Sequence, residues 1–137
     1  MSMLPELAAE LKGMEGLEFI SLRFALSIVE KEYNGIVYYV IGSDYEDEIG
    51  ISTATLEVYS ISGVSKVFIN SSLQQLKLSI IAFNSNIQLE DEGFNEKKRR
   101  KEAKLVTKEL RKIDEKALKN HSCWWSYILE QTMDGLL

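Results

Sequence analysis

The sequence predicts an α+β fold, an antiparallel β-meander sheet with C-terminal helices packed on it. Three observations carry that expectation. Between Gly35 and Asn70 the chain passes through short apolar runs joined by connections too short for parallel crossovers. After Asn70 the apolar residues switch from strand spacing to helical spacing. The chain has 137 residues and is 45% hydrophobic, enough for one core, so residues 1–137 read as a single domain.

The elements follow in order. Leu4, Leu7, Ala8 and Leu11 share a helical face, Pro5 suits a first turn, and Gly13 and Gly16 end the helix. Leu17 to Leu22 reads as extended. Arg23 to Lys31 reads as a strand with Phe24, Leu26 and Ile28 on one face. Asn34-Gly35 is a turn pair. Ile36 to Ile41 is apolar at both parities, the pattern of a strand covered on both faces, so it is expected at the centre of the sheet. Ser43 to Asp47 reads as a polar loop. Glu48–Ser52 and Leu56–Ile61 form a hairpin across Thr53-Ala54-Thr55, and a fifth run ends at Asn70.

Ser71 with Gln74, or Ser72 with Gln75, fits a capping box opening a helix whose inner face is Leu73, Leu76, Ile80 and Phe83. Residues 87–93 read as a loop. A helix over about 95–113 carries Ala103, Val106, Leu110 and Ile113 inward, and 114–119 form a short turn. In the last helix Trp125, Ile128, Leu129, Thr132, Met133 and Leu136 share a face. Trp125 is therefore expected in the core and the adjacent Trp124 half exposed.

The net charge of −5 argues against general nucleic-acid binding. It is unevenly spread: residues 1–92 hold 5 basic and 14 acidic residues, a net of −9, and residues 93–137 hold 11 and 7, a net of +4. The single cysteine, Cys123, allows no internal disulfide and suits a reducing compartment. No signal-peptide pattern and no apolar run of about 18 residues is present, so a cytoplasmic protein without a membrane segment is expected.

Several residues are candidates for chemistry. Asp44, Glu46, Asp47 and Glu48 form an acidic cluster. They lack the spacing and the internal glycine of a calcium loop, which leaves a solvated loop or a docking surface for a basic partner. The run Lys97 to Lys101 points all round a helix and is interleaved with Glu96, Glu102 and Glu109, so a solvated helix is the better reading. Cys123, His121 and Asp114 are conceivable as a Cys-His-Asp arrangement, but a helix entry packed on the core explains them without catalysis. Asn70-Ser71-Ser72 reads as a cap rather than an anion site. No phosphate loop, zinc spacing or serine-nucleophile motif is present, so no cofactor, metal or catalytic residue is expected.

One resemblance runs through the chain from about residue 36 to 136. It is carried by Tyr39-Val40-Ile41-Gly42-Ser43-Asp44, Ile49-Gly50-Ile51 and Glu57-Val58-Tyr59-Ser60-Ile61. It continues in Phe68-Ile69-Asn70-Ser71-Ser72-Leu73, Ile113-Asp114-Glu115-Lys116-Ala117-Leu118 and Trp124-Trp125-Ser126-Tyr127-Ile128-Leu129-Glu130. This resembles the SUKH superfamily of Smi/Knr-like proteins, and in particular its fourth immunity-protein family. Where family members often carry an acid and a glycine turn after the second hairpin strand, this chain has Ser52 and Thr53-Ala54-Thr55. The resemblance implies the SUKH fold and a non-enzymatic role: binding and neutralising the toxin domain of a bacterial polymorphic toxin system, often a nuclease or deaminase. The same fold could instead serve as a regulatory protein–protein adaptor. In either case the partner is a protein, not nucleic acid or membrane, and the chain itself is expected to be a monomer or weak homodimer. The residues expected to meet that partner are Asp44, Tyr45, Glu46, Asp47, Glu48, Tyr59 and Trp124.

Overall fold

The computed structural model describes residues 4–63, 65–87 and 95–136. The chain runs α1 (Leu4–Lys12), β1 (Leu22–Tyr33), β2 (Ile36–Asp44), β3 (Asp47–Ser52), β4 (Val58–Ser62) and β5 (Ser65–Asn70). It continues with α2 (Leu73–Asn86), α3 (Glu96–Ile113), a 3₁₀ turn (Glu115–Leu118) and α4 (Trp124–Met133). The five strands lie in sequence order and pair antiparallel throughout, an α+β meander. The expected loop at 88–93 lies outside the described residues.

The middle of the sheet is β3, not β2 as the double apolar parity suggested. Both faces of β2 are nonetheless covered: Tyr39 and Ile41 join the core, while Tyr38 and Val40 are buried on the opposite face. A bulge in β2 between Val40 and Gly42 resets its alternation. Gly42 is required there, because a Cβ would lie 2.2 Å from the carbonyl oxygen of Arg23 on β1.

Leu17 to Leu22 is not an extended segment. Phe19 and Leu22 close a tight turn, and β1 starts at Leu22. Within β1 the register slips between Phe24 and Val29, so the strand does not alternate over its whole length. Ser43 to Asp47 is hardly a loop either: β2 and β3 pair as far as Asp44 opposite Asp47, leaving only Tyr45 and Glu46 in the turn.

The core lies between one face of the sheet and the helices. Ile49, Ile51, Val58 and Ile69 meet Leu73, Leu76, Ile80 and Phe83 of α2, Val106 and Leu110 of α3, and Trp125 and Leu129 of α4. These are the helix faces that the spacing predicted. Three predicted inward residues depart from this: Ile113 and Met133 are only half-buried, and Leu136, beyond the end of α4 at Met133, is exposed.

A buried polar knot ties the end of the sheet to the helices. Asp114 accepts from the Ser71 amide at 2.7 Å, the Ser71 hydroxyl at 2.8 Å and Asn70 Nδ2 at 3.0 Å. Asn70 Oδ1 in turn accepts the Trp125 indole N–H at 2.9 Å. Every donor here has an acceptor, which is what makes a polar group tolerable in a core. Ser72, not Ser71, caps α2, accepting from the Gln75 amide at 3.2 Å. The capping box is incomplete in an informative way: Gln75 Oε1 accepts from the Ser72 hydroxyl at 2.9 Å, and Gln75 Nε2 donates to the Ile113 carbonyl at 3.0 Å, joining α2 to α3.

Candidate partner-docking groove

The alternation of β2 and β3 divides the acidic run between the two faces of the sheet. Asp44 and Asp47, paired across the strands, lie on the helix side; Glu48 lies on the other. The cluster expected from sequence is therefore two separate environments.

On the helix side, Asp44 accepts from the Ser21 hydroxyl and, at 3.1 Å, from the Trp124 indole N–H. This corrects the expectation for Trp124, which is 6% exposed. Adjacent helical residues diverge by about 100°, so both tryptophans can be buried only if α4 is covered on two sides. Phe19, from the turn before β1, supplies the second cover at 5.6 Å, and the two indoles meet edge to face at 4.9 Å. Asp44 satisfies the polar end of the indole that this packing would otherwise strand.

Between the β2–β3 turn and α4 opens a groove of about 860 Å³. Asp44, Tyr45, Glu46 and Asp47 form one wall, and Trp124, Tyr127, Ile128 and Gln131 form the other. Ile20 and Val67 add apolar edges, His121 stands at the rim, and Ser60 from β4 lies between. Tyr45 is 83% exposed and Tyr127 55%, unusual values for large aromatics and typical of interaction surfaces. Tyr45 (φ 55°) and the β-branched Ile20 (φ 37°) both hold left-handed backbone, a cost most often tolerated where side-chain direction matters.

The opposite sheet face is built differently. Tyr33, Tyr38, Tyr59 and Phe68 form a ladder of rings across four strands, with centroids 6.1, 6.2 and 5.7 Å apart. Gly50 leaves the space Tyr38 occupies: a Cβ there would sit 2.9 Å from Ile61 Cδ1 and 3.2 Å from Tyr38 Cβ. The charges on this face are matched. Glu48 takes Lys31 Nζ at 2.8 Å and the Tyr33 hydroxyl. Burial alone would push its carboxyl up, but these hydrogen bonds outweigh it and hold it below the usual carboxylate range. Glu57 is likewise held down, first by the hydrogen bond from Lys116, against a smaller effect of burial. The Tyr59 hydroxyl donates to Glu57 at 2.9 Å, and burial, with that acceptor second, pushes its phenol up to about 12. Lys66 Nζ sits 4.6 Å over the Tyr59 ring.

Of the seven residues predicted to meet a partner, Asp44, Tyr45, Glu46, Asp47 and Trp124 thus share the groove, while Glu48 and Tyr59 lie on the far face. Sequence reasoning missed Ile20, Ser60 and Tyr127. Ser60 was readable from the parity of β4, where it falls on the same side as Val58. Tyr127 was readable as an aromatic off the apolar face of α4. Ile20 carried no signal, because its place depends on a turn read as extended.

The Cys-His-Asp arrangement is not assembled. The hydrogen bonds of Asp114 go to Asn70 and Ser71, and the buried Cys123 thiol faces the Lys116 carbonyl at 3.8 Å and Asn120 Oδ1 at 3.6 Å. Among the described residues no group of three or more His, Cys, Asp or Glu is placed to hold a metal ion, and no helix is long and apolar enough to cross a membrane. The basic run needs one correction. Its consecutive residues do point all round α3, but Lys97, Lys101, Lys104, Lys108 and Arg111 recur every three or four residues and line up as one exposed stripe.

A family model described as SUKH-4 immunity protein matches residues 32–131, well over half of the chain. The chain belongs to the SUKH-4 immunity-protein family. Comparison with curated proteins and with solved structures found no match. The match confirms the SUKH assignment that the segments from Tyr39 to Glu130 suggested, and the antiparallel sheet with its helices is consistent with the SUKH fold. SUKH-4 membership supports an immunity role, which in this family is generally non-enzymatic. The matched span contains most of the groove, from Asp44 to Gln131; Ile20, Ser21 and Leu136 fall outside it.

Proposed function

We propose that this chain is the immunity protein of a bacterial polymorphic toxin system, binding one cognate toxin domain and covering its active site or substrate surface. The match to the SUKH-4 family carries the reading. It acts in the cytoplasm, where a nuclease or deaminase toxin would reach its substrate, and it works by occupancy, with no chemistry of its own. The groove between the β2–β3 turn and α4 is the contact surface. Support for that choice is physical: exposed tyrosines beside carboxylates give an amphipathic patch of the kind that anchors interfaces. A toxin that handles nucleic acid needs basic residues for phosphates, and an acidic cover would meet them by long-range attraction.

The test is co-production with the toxin domain encoded beside its gene. Restored growth, and a complex that survives gel filtration, are expected. Cells that die despite full production of the folded chain would refute the immunity role and leave the adaptor reading.

A further inference from the structure

We propose that the groove recognises an arginine side chain presented by the partner protein, its guanidinium held by Glu46 and Asp47, stacked on Tyr45 and hydrogen-bonded to Ser60. The identity of the partner as a toxin rests on the immunity reading above; the arginine chemistry rests on the groove alone.

Two independent observations point the same way. The first is charge. Among the described residues Asp44, Glu46 and Asp47 take part in no ion pair, whereas Glu48, next in sequence, is paired with Lys31. Carboxylates held along one wall without a cation favour a cationic occupant. The second is Ser60. It is 6% exposed and lines the groove, yet its hydroxyl makes no hydrogen bond to any other group of the protein among the described residues. No sealed side-chain polar atom among the described residues lacks a partner, so this hydroxyl is open to the groove. A hydroxyl on a buried residue, open only toward the groove, is an acceptor aimed at whatever fills the groove, and an occupant with an N–H donor matches it.

The occupant follows from these features together. Ser60 is flanked across the sheet by Ile49 and Val67, and Ile20 and Ile128 add apolar lining. A compact, strongly hydrated ammonium is poorly suited to such surroundings. A guanidinium is planar, weakly hydrated, stacks on an aromatic ring and carries five donors, enough for two carboxylates and a hydroxyl. Asp44 is not free for this role, since Ser21 and Trp124 already occupy it; it positions the wall.

The experiment titrates the full ¹⁵N-labelled chain with hexa-arginine and, separately, hexa-lysine peptide at low and moderate salt. The expected shifts centre on Tyr45 to Asp47, Ser60 and the Trp124 indole N–H. Hexa-arginine should bind about tenfold more tightly than hexa-lysine. Glu46→Gln with Asp47→Asn should weaken hexa-arginine about tenfold, and Ser60→Ala about fivefold. Glu30→Gln with Glu32→Gln on β1 should change nothing, and circular dichroism checks that all variants fold. Equal affinity for the two peptides, shifts centred elsewhere, or groove variants that bind as the parent does would each overturn the proposal. So would self-association of the chain alone through this groove, since Arg100 or Arg111 of a second copy would then be the occupant. Growth protection separates the two readings. Groove variants that protect fully overturn the groove and leave immunity intact. A parent chain that binds hexa-arginine but does not protect overturns immunity and leaves the groove.

Discussion

The two faces of the sheet handle the same short acidic run in opposite ways. Glu48 meets a cation and a phenol on a face where each ring leans on the next, and its charge is answered within the molecule. Glu46 and Asp47, two and one residues earlier, pair with no cation among the described residues and lie beside two exposed tyrosines. A strand places successive side chains on opposite sides, so sequence neighbours become members of different surfaces. An acidic cluster read along the chain is therefore a poor guide to an acidic cluster in space.

The largest expected effect tests whether the two faces differ in kind. Trp125 and Tyr38 are both almost fully buried, at 0% and 2% exposure, but one sits between sheet and helices and the other within the ring ladder. Trp125→Ala should cost about 3–5 kcal/mol, because it opens a cavity beside Phe19, Phe83 and Trp124 and leaves Asn70 Oδ1 without its donor. Tyr38→Ala should cost less, about 2 kcal/mol, since neighbouring long side chains can fold into the gap. Urea melts of both variants check the order, and equal losses would mean the outer face is as rigid a core as the inner one.

An intermediate effect isolates the link from the sheet to α2. Ser72→Ala removes the cap and should cost about 1 kcal/mol. Ser71→Ala should cost at least as much for a different reason, since it strips a donor from the buried Asp114. Neither residue lines the groove, so partner affinity should be unchanged in both variants. A loss of binding at intact stability would return these serines to the role of an anion site.

The fold was legible wherever one periodicity held over a whole element. The inner faces of α2 and α3, and most of α4, were read correctly because tertiary packing agreed with the local pattern. The errors fall where geometry interrupts periodicity. The β1 slip and the turn at Phe19–Leu22 break alternation with no Gly or Pro at the break, and the β2 bulge carried its signal in Gly42, which was read as the end of the apolar run. Trp124 was misread for a related reason: its cover, Phe19, and its acceptor, Asp44, come from distant segments that helical phase cannot report. The acidic wall of the groove was visible in the sequence, while Ser60 and Ile20 joined it only through the register of β4 and that misread turn.

The smallest effect is the sharpest test of the comparison, because it sets Glu48 against its own neighbours. Glu48→Gln keeps the shape and removes the charge that Lys31 and Tyr33 answer. The loss should be smaller than that of Ser72→Ala, because the site is partly solvated. Its pH dependence identifies the cause. The folded carboxyl titrates below its ordinary 4.5, so the folded state binds fewer protons than the unfolded one as the solution is acidified. The contribution of Glu48 is then fully present above about 4.5 and disappears as pH falls through the lowered value. The stability difference between parent and Glu48→Gln should therefore be constant from neutral pH to about 4.5, shrink as the pH falls further, and vanish below the lowered folded value. Glu46→Gln with Asp47→Asn removes charges that form no ion pair among the described residues and should stay within about 0.5 kcal/mol of the parent at neutral pH. If the groove variant loses as much stability at neutral pH as Glu48→Gln, its carboxylates are held by the fold itself and are not kept open for a partner.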